Sequence, residues 1–204
     1  MTQMHDSTTS ALTTVMRRRP AAGFALAVCA AAAACSGATD LVARFDNLTY
    51  QPALYALNGS PIGAPTAINT VFAATVRPDA TFDFDVAFDL DAQGRAIVYA
   101  QRRLGHPAGA AGRQVSLQPG DGPFDAVERA PESQWVADSL LAIAVGEVVL
   151  VRVVASICQF DLSPYVFSKI ALDSVDVANR RLWVSALTNP NCGFRSLQPG
   201  RPRN

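Results

Sequence analysis

The sequence predicts an all-β domain, a single antiparallel β-sandwich or barrel-like body, behind an amino-terminal leader. Three observations predict it. Apolar and acidic side chains alternate from Thr81 to Asp91. Two further segments show a strand, a turn and a second strand. Turn signals recur at Asn58-Gly59, Arg77-Pro78-Asp79 and Pro119-Gly120. Many short strands between frequent turns belong to sandwiches and barrels rather than to helical folds.

The first hairpin rests on Phe82, Phe84, Val86, Phe88 and Leu90, which occupy alternate places, with Asp83, Asp85, Asp89 and Asp91 between them. Period-two alternation puts one face in a core and the other in water. Ala92-Gln93-Gly94-Arg95 makes the turn and Ala96 to Arg102 returns. A second hairpin is expected from Ser139 to Ser156, with Gly146-Glu147 as a two-residue type II′ loop. A helix through Trp135 and Leu140 competes for its first arm. A third hairpin runs from Tyr165 to Asp173, turns around Val177-Ala178-Asn179, and returns as Arg181 to Leu187. Weaker strands are expected at Leu41 to Phe45, Thr49 to Leu57 and Thr70 to Val76. The Gly- and Ala-rich stretch Gly105 to Gly112 predicts a mobile loop. Ser116-Leu117-Gln118-Pro119-Gly120 recurs as Ser196-Leu197-Gln198-Pro199-Gly200, which raises an internal duplication as an alternative organisation.

The leader begins with Arg17, Arg18 and Arg19. An apolar run of 14 residues follows, from Ala21 to Ala34, broken only by Gly23. A charged start, a short apolar centre and small residues before a cut site define a secretory signal. A membrane-spanning helix needs about 20 apolar residues, so the run is short for a permanent span. Residues 1–15 are polar and precede the basic cluster, which makes Met16 a candidate start. Residues 1–34 are therefore set apart as a signal peptide, and 35–204 as one domain of 170 residues.

Ala32-Ala33-Ala34-Cys35 resembles the lipobox of bacterial lipoproteins. The resemblance implies cleavage before Cys35 and acylation of its thiol. Ala32 stands where that family usually has Leu, and ordinary cleavage after Ala34 is the alternative. Ser36, rather than Asp, follows the cysteine, which by the same resemblance implies the outer membrane. Several acyl chains would anchor stably, at about 0.8 kcal/mol per buried CH₂.

Removing residues 1–34 takes away Asp6, His5, three arginines and all three methionines. It leaves 16 acidic and 14 basic residues, a balance unsuited to a nucleic-acid surface. Of the four cysteines, Cys29 leaves with the leader and Cys35 is assigned to the lipid. Cys158 and Cys192 remain. An even pair in an exported chain predicts a disulfide. A redox or metal pair is disfavoured by the lack of C-x-x-C spacing.

Candidate chemistry is sparse. Asp89-Leu90-Asp91-Ala92-Gln93-Gly94 resembles the opening of a calcium loop, with Asp89, Asp91 and Gln93 as oxygen donors, but Ala100 stands at the twelfth position where Glu belongs. The other reading is a solvated strand face ending in a glycine turn. His106 alone would have to serve any zinc site or catalytic triad, and Gly59-Ser60-Pro61-Ile62-Gly63 lacks the spacing of a nucleophile elbow. A two-carboxylate hydrolase needs no histidine, yet Glu128 and Glu132 flank Pro131 as loop charges. Trp135, Trp183 and Phe194 are candidates for a pocket lining, with core packing as the stronger expectation for Trp183 in mid-strand.

Phe84-Asp85-Val86-Ala87-Phe88 resembles the W-D-x-A-F strand of the haem-scavenging all-β lipoproteins of some Gram-negative bacteria, with Phe84 in place of Trp. That resemblance implies haem held by two axial histidines. The mature chain has one, His106, so no cofactor is expected. The sequence thus predicts an outer-membrane lipoprotein acting as a non-enzymatic binding or structural module of the envelope, held to the membrane by its lipid. Its partner would be an envelope protein or a small molecule. A small-ligand carrier with a β pocket is the alternative, and a carboxylate hydrolase comes third.

Overall fold

The computed structural model describes residues 42–78, 83–105 and 113–202, so Thr81 and Phe82 of the alternating segment lie outside the described residues. In chain order the strands are β1 (Leu48–Tyr50), β2 (Ala53–Tyr55), β3 (Ala67–Asn69), β4 (Ala74–Val76), β5 (Val86–Leu90) and β6 (Ala96–Ala100). Then come β7 (Val115–Pro119), β8 (Val136–Ala137), β9 (Leu140–Ile143), β10 (Val148–Val154), β11 (Tyr165–Asp176) and β12 (Arg181–Asn189). They form two antiparallel sheets. The larger has the order β1-β12-β11-β10-β7-β8, with β2 also on β12, and the smaller is β4-β3-β5-β6-β9. The expected all-β sandwich is present. Among the described residues no helix is long and apolar enough to cross a membrane.

The sheets pack face to face. Val86, Phe88, Leu90 and Val98 of the smaller sheet share one buried cluster with Val149, Val151, Val153, Ile170, Leu172 and Val184 of the larger. A second cluster covers the outer face of the larger sheet. There Val148, Leu150, Phe167, Ala171 and Leu187 meet Val127, Ala130 and Leu197. A third places Phe84 with Ala67 and Ala87.

Two hairpins form as expected. β5 pairs with β6 from Val86↔Ala100 to Leu90↔Ala96. β11 pairs with β12 over a longer span than the sequence suggested, with a bulge at Asp173. The expected solvated aspartate face is corrected. Every residue of β5 is buried, as are Asp85 and Asp89, because further chain covers that side of the sheet. Phe84 also leaves the alternating set and packs in the third cluster. The return arm ends at Ala100, and Gln101–Leu104 turns as a short 3₁₀ helix.

The second expected hairpin does not exist. β9 pairs with β6 in the smaller sheet, and β10 pairs with β7 and β11 in the larger. Glu147 N–H donates to the Ala144 carbonyl at 3.0 Å, and Gly146 has φ 89° at the third position of that turn. This is a type II arrangement. Its twist splays the flanking strands where II′ would pair them, and the chain crosses between layers. No helix runs through Trp135 and Leu140, since Val136–Ala137 is β8 and Leu140–Ile143 is β9.

The weaker strands need adjustment. Residues 42–45 form no strand. Thr49 to Leu57 becomes β1 and β2 in one continuous register on β12, interrupted at Gln51-Pro52, where proline cannot donate to a ladder. Thr70 to Val76 contains a turn instead of one strand. Asn69 Oδ1 accepts from Phe72 N–H, Ala73 takes φ 52°, and β3 and β4 pair across it. The sequence echo is not a structural repeat, since its first copy forms β7 and its second makes only single bridges.

Candidate functional site

The larger sheet ends, beyond β10 and β12, in a cross-linked tip. β10 runs into a 3₁₀ turn at Ser156–Cys158, and the chain returns to β11 after Pro164. Cys158 is bonded to Cys192, just past β12, with the Cα atoms 5.6 Å apart. The expected disulfide is therefore formed. Gly193 follows with φ 81°, and its N–H donates to the Tyr165 carbonyl at 2.8 Å. A Cβ there would lie 2.7 Å from Ser163 Cβ, so the backbones approach as closely as glycine permits. This bracing holds the 156–164 connection away from the core. Ile157, Phe160 and Leu162 on it are 47%, 93% and 87% exposed. Asp161 lies close to both sulfurs. Since those sulfurs are bonded to each other, this grouping is no metal centre.

The same tip fastens the first described residues. Asn191, buried, accepts through Oδ1 from Arg44 N–H at 2.7 Å and Phe45 N–H at 3.0 Å. Its Nδ2 donates to the Phe45 carbonyl at 2.9 Å and to Asn189 Oδ1 at 2.9 Å. Asn189 in turn donates to the Phe194 and Ser196 carbonyls. Asn47 Nδ2 donates to the Ser196 and Gln198 carbonyls. These side chains do for residues 42–47 what a strand ladder would have done. Asn191→Ala removes three bonds to the strap while leaving the sheets intact, at about 1–3 kcal/mol. Limited trypsin digestion is expected to cut after the exposed Arg44 much faster in that variant. An unchanged rate would show that the asparagine does not hold the strap.

Beneath the tip lies a polar layer between the sheets. Asp85 is fully buried and accepts from Thr70 N–H at 2.6 Å, Thr70 Oγ1 at 2.8 Å and Val71 N–H at 3.3 Å. Arg113, also buried, donates to it at 3.1 Å and lies 3.8 Å from Asp83. Burial pushes the Asp85 carboxyl above its ordinary range, while the Arg113 charge and the Thr70 and Val71 bonds pull it down. Thr188 Oγ1 donates to the Thr70 carbonyl at 2.7 Å and meets Ser168 Oγ at 3.0 Å. Burial pushes the Tyr50 phenol nearby up to about 12. Both Asp85 oxygens are bonded, although Arg113 Nε and the Tyr50 hydroxyl are buried without a hydrogen-bond partner among the described residues, and the layer ties the sheets together.

The calcium candidates are not brought together. Asp89 is bonded to Arg180 Nη2 at 2.8 Å and to the Asn58 side chain, with Asn58 N–H at 3.3 Å. Asp91 accepts from Gln93 N–H at 2.9 Å, Arg95 N–H at 2.8 Å and Arg95 Nε at 2.7 Å. Desolvation raises the Asp91 carboxyl, but these bonds and the Arg95 charge together outweigh it and hold it below its ordinary value. Gln93 contributes only its amide to this turn. Phe84 to Phe88 of the haem-scavenger resemblance are all buried. His106, most of the Gly105–Gly112 loop, and the leader with Cys35 lie outside the described residues.

The aromatic candidates separate. Phe194 is buried. Trp183, expected in the core, is instead half-buried and faces outward, with the Arg181 guanidinium 4.9 Å from its ring centre and 5.3 Å from that of Tyr55. Trp135 packs 5.8 Å from Phe167, and Arg152 stacks between Trp135 and Tyr165. Glu128 and Glu132 are exposed loop charges, the latter paired with Arg195. A shallow open cleft of about 310 Å³ lies along Pro119, Leu141, Ile143 and Val148, where the two sheet edges meet.

Sequence reasoning missed Lys169, Arg113 and Asn191. Lys169 is the one lysine beside sixteen arginines. Its buried ammonium donates to the Phe124 and Val127 carbonyls at 2.6 and 2.9 Å and sits 4.2 Å over the Phe124 ring. Burial lowers its pKa, opposed by Asp125 and Glu128. That rarity was a signal available in the letters. Arg113 and Asn191 offered none, because their partners are distant in sequence. The chain matches no protein-family model, and no curated protein or solved structure shows significant similarity to it.

Proposed function

We propose that the chain is a lipid-anchored, non-enzymatic module of the bacterial envelope, tethered through acylated Cys35 to the outer membrane. The Cys158–Cys192 bond carries the reading, because structural disulfides persist in oxidising compartments outside the cytoplasm. The basic, apolar and small-residue pattern ending at Cys35 supports export and lipidation. The aspartates of the first hairpin are engaged by cations. Asp85 is held by Arg113, Asp89 by Arg180 and Asp91 by Arg95. Trp135, Trp183 and Phe194 lie apart, which favours a structural or protein-binding role over a small-ligand carrier.

The test is mass spectrometry of membrane fractions from wild-type and Cys35→Ala cells. The wild-type chain is expected to start at Cys35 with the added mass of its acyl chains. The variant is expected to be unacylated and released from the membrane. Finding unacylated protein in both would sink the anchor.

A further inference from the structure

We propose that the disulfide tip is a membrane-contacting surface, with Phe160 and Leu162 inserted into the interfacial layer of a lipid bilayer. This rests on the Cys35 anchor proposed above. The tip gathers five exposed apolar side chains on two adjoining segments. Ile157, Phe160 and Leu162 lie on the connection tied down by Cys158. Val42 and Phe45, 82% and 59% exposed, lie on the strap clasped by Asn191, the neighbour of Cys192. At the opposite end of the sandwich Ile62, Val145 and Val177 stand singly on separate loops. The cross-link and the close approach at Gly193 leave the large tip residues no route into the core. A contiguous exposed apolar patch marks an interaction surface.

Chain length selects the occupant. Cys35 lies seven positions before Val42, a reach of at most about 25 Å when fully extended. The twelve-residue strand β11 alone spans about 40 Å. An acylated Cys35 therefore keeps the Val42 end close to the bilayer, while the far end lies beyond the tether unless the domain lies flat. The strap, and with it the tip, faces the lipid. Exposed Arg44 and Arg201 are offset by Asp46, which pairs with Arg201, and by Asp161, so apolar burial and not attraction to anionic headgroups would drive the contact. Little dependence on salt follows. The lipid tether makes the contact intramolecular, so weak insertion is enough.

The experiment uses the full-length chain, purified from membranes and reconstituted in vesicles of phosphatidylethanolamine and phosphatidylglycerol. Phe160→Trp is introduced in a Trp135→Phe, Trp183→Phe background, and quenching by brominated acyl chains is recorded. Leu162→Trp is the second reporter, and Val177→Trp at the far end is the control. The tip tryptophans are expected to be quenched about three times as strongly as the control, at a depth of roughly 5–10 Å. In secreted Cys35→Ala protein, adding Phe160→Ser and Leu162→Ser is expected to lower vesicle partitioning about ten-fold or more. Equal quenching of tip and control in a chain that mass spectrometry shows to be acylated overturns the inference and leaves the anchor standing. A chain without acyl mass overturns both. A tip signal that shifts in lipid-free buffer together with a doubled mass assigns the patch to a second copy and also overturns it.

Discussion

Replacing both bridge cysteines, Cys158→Ser with Cys192→Ser, is expected to lower the unfolding free energy by about 3–4 kcal/mol. The bond closes a loop of sequence separation 34. In the chain-entropy description, opening it returns that conformational freedom to the unfolded ensemble. A domain of ordinary stability has only about 5–15 kcal/mol in total, so the change removes a large fraction. Urea titration of oxidised wild type and of the variant reads the difference. The bridge also restrains the tip. Protease sensitivity within 156–164 is expected to rise in the variant even under conditions where the sheets stay folded. A loss below about 1 kcal/mol would mean that the hairpin β11–β12 already restrains the same ends.

Arg113→Met is expected to cost a further large amount, about 3–5 kcal/mol, because it leaves the Asp85 carboxyl buried without its counter-charge. Replacing both residues, Asp85→Leu with Arg113→Met, is expected to cost much less than the two single changes summed, since the desolvation penalty goes with the charges. The pH dependence gives an independent check. Burial raises the Asp85 pKa above its ordinary 3.8. The stability linked to a raised carboxyl is complete below that unfolded value and is lost as pH rises through the folded one. Without Arg113 the folded value climbs further. The deficit of Arg113→Met relative to wild type is therefore smallest in acid and grows toward neutral pH, as urea midpoints between about pH 4 and 7 would record. A deficit that stays flat across that range would falsify the claim that Arg113 acts on Asp85 through its charge.

The alternating letters from Val86 to Leu90 were enough to identify a strand and its core-facing side chains, because the pleat itself has a period of two. They could not show what lay over the other face. Asp85 and Asp89 looked solvated until Arg113 and Arg180, 28 and 91 residues away, arrived to cover them. The turn at Gly146 was legible as a turn. Whether its strands paired or parted depended on which of its residues took the positive φ. At the tip, Cys158 and Cys192 were legible as a pair. The exposure of Phe160 and Leu162 was not, since a large apolar residue in a sequence reads as core.

Period and cysteine count alone determined an all-β body and one bridge. These are local or countable properties, written in neighbouring residues. Tertiary structure alone decided that β9 and β10 belong to different sheets, that the aspartates are buried, and that Asn191 clasps backbone 146 and 147 residues earlier. Those outcomes depend on which distant surface reaches a group first and removes its water, and no local pattern carries that information.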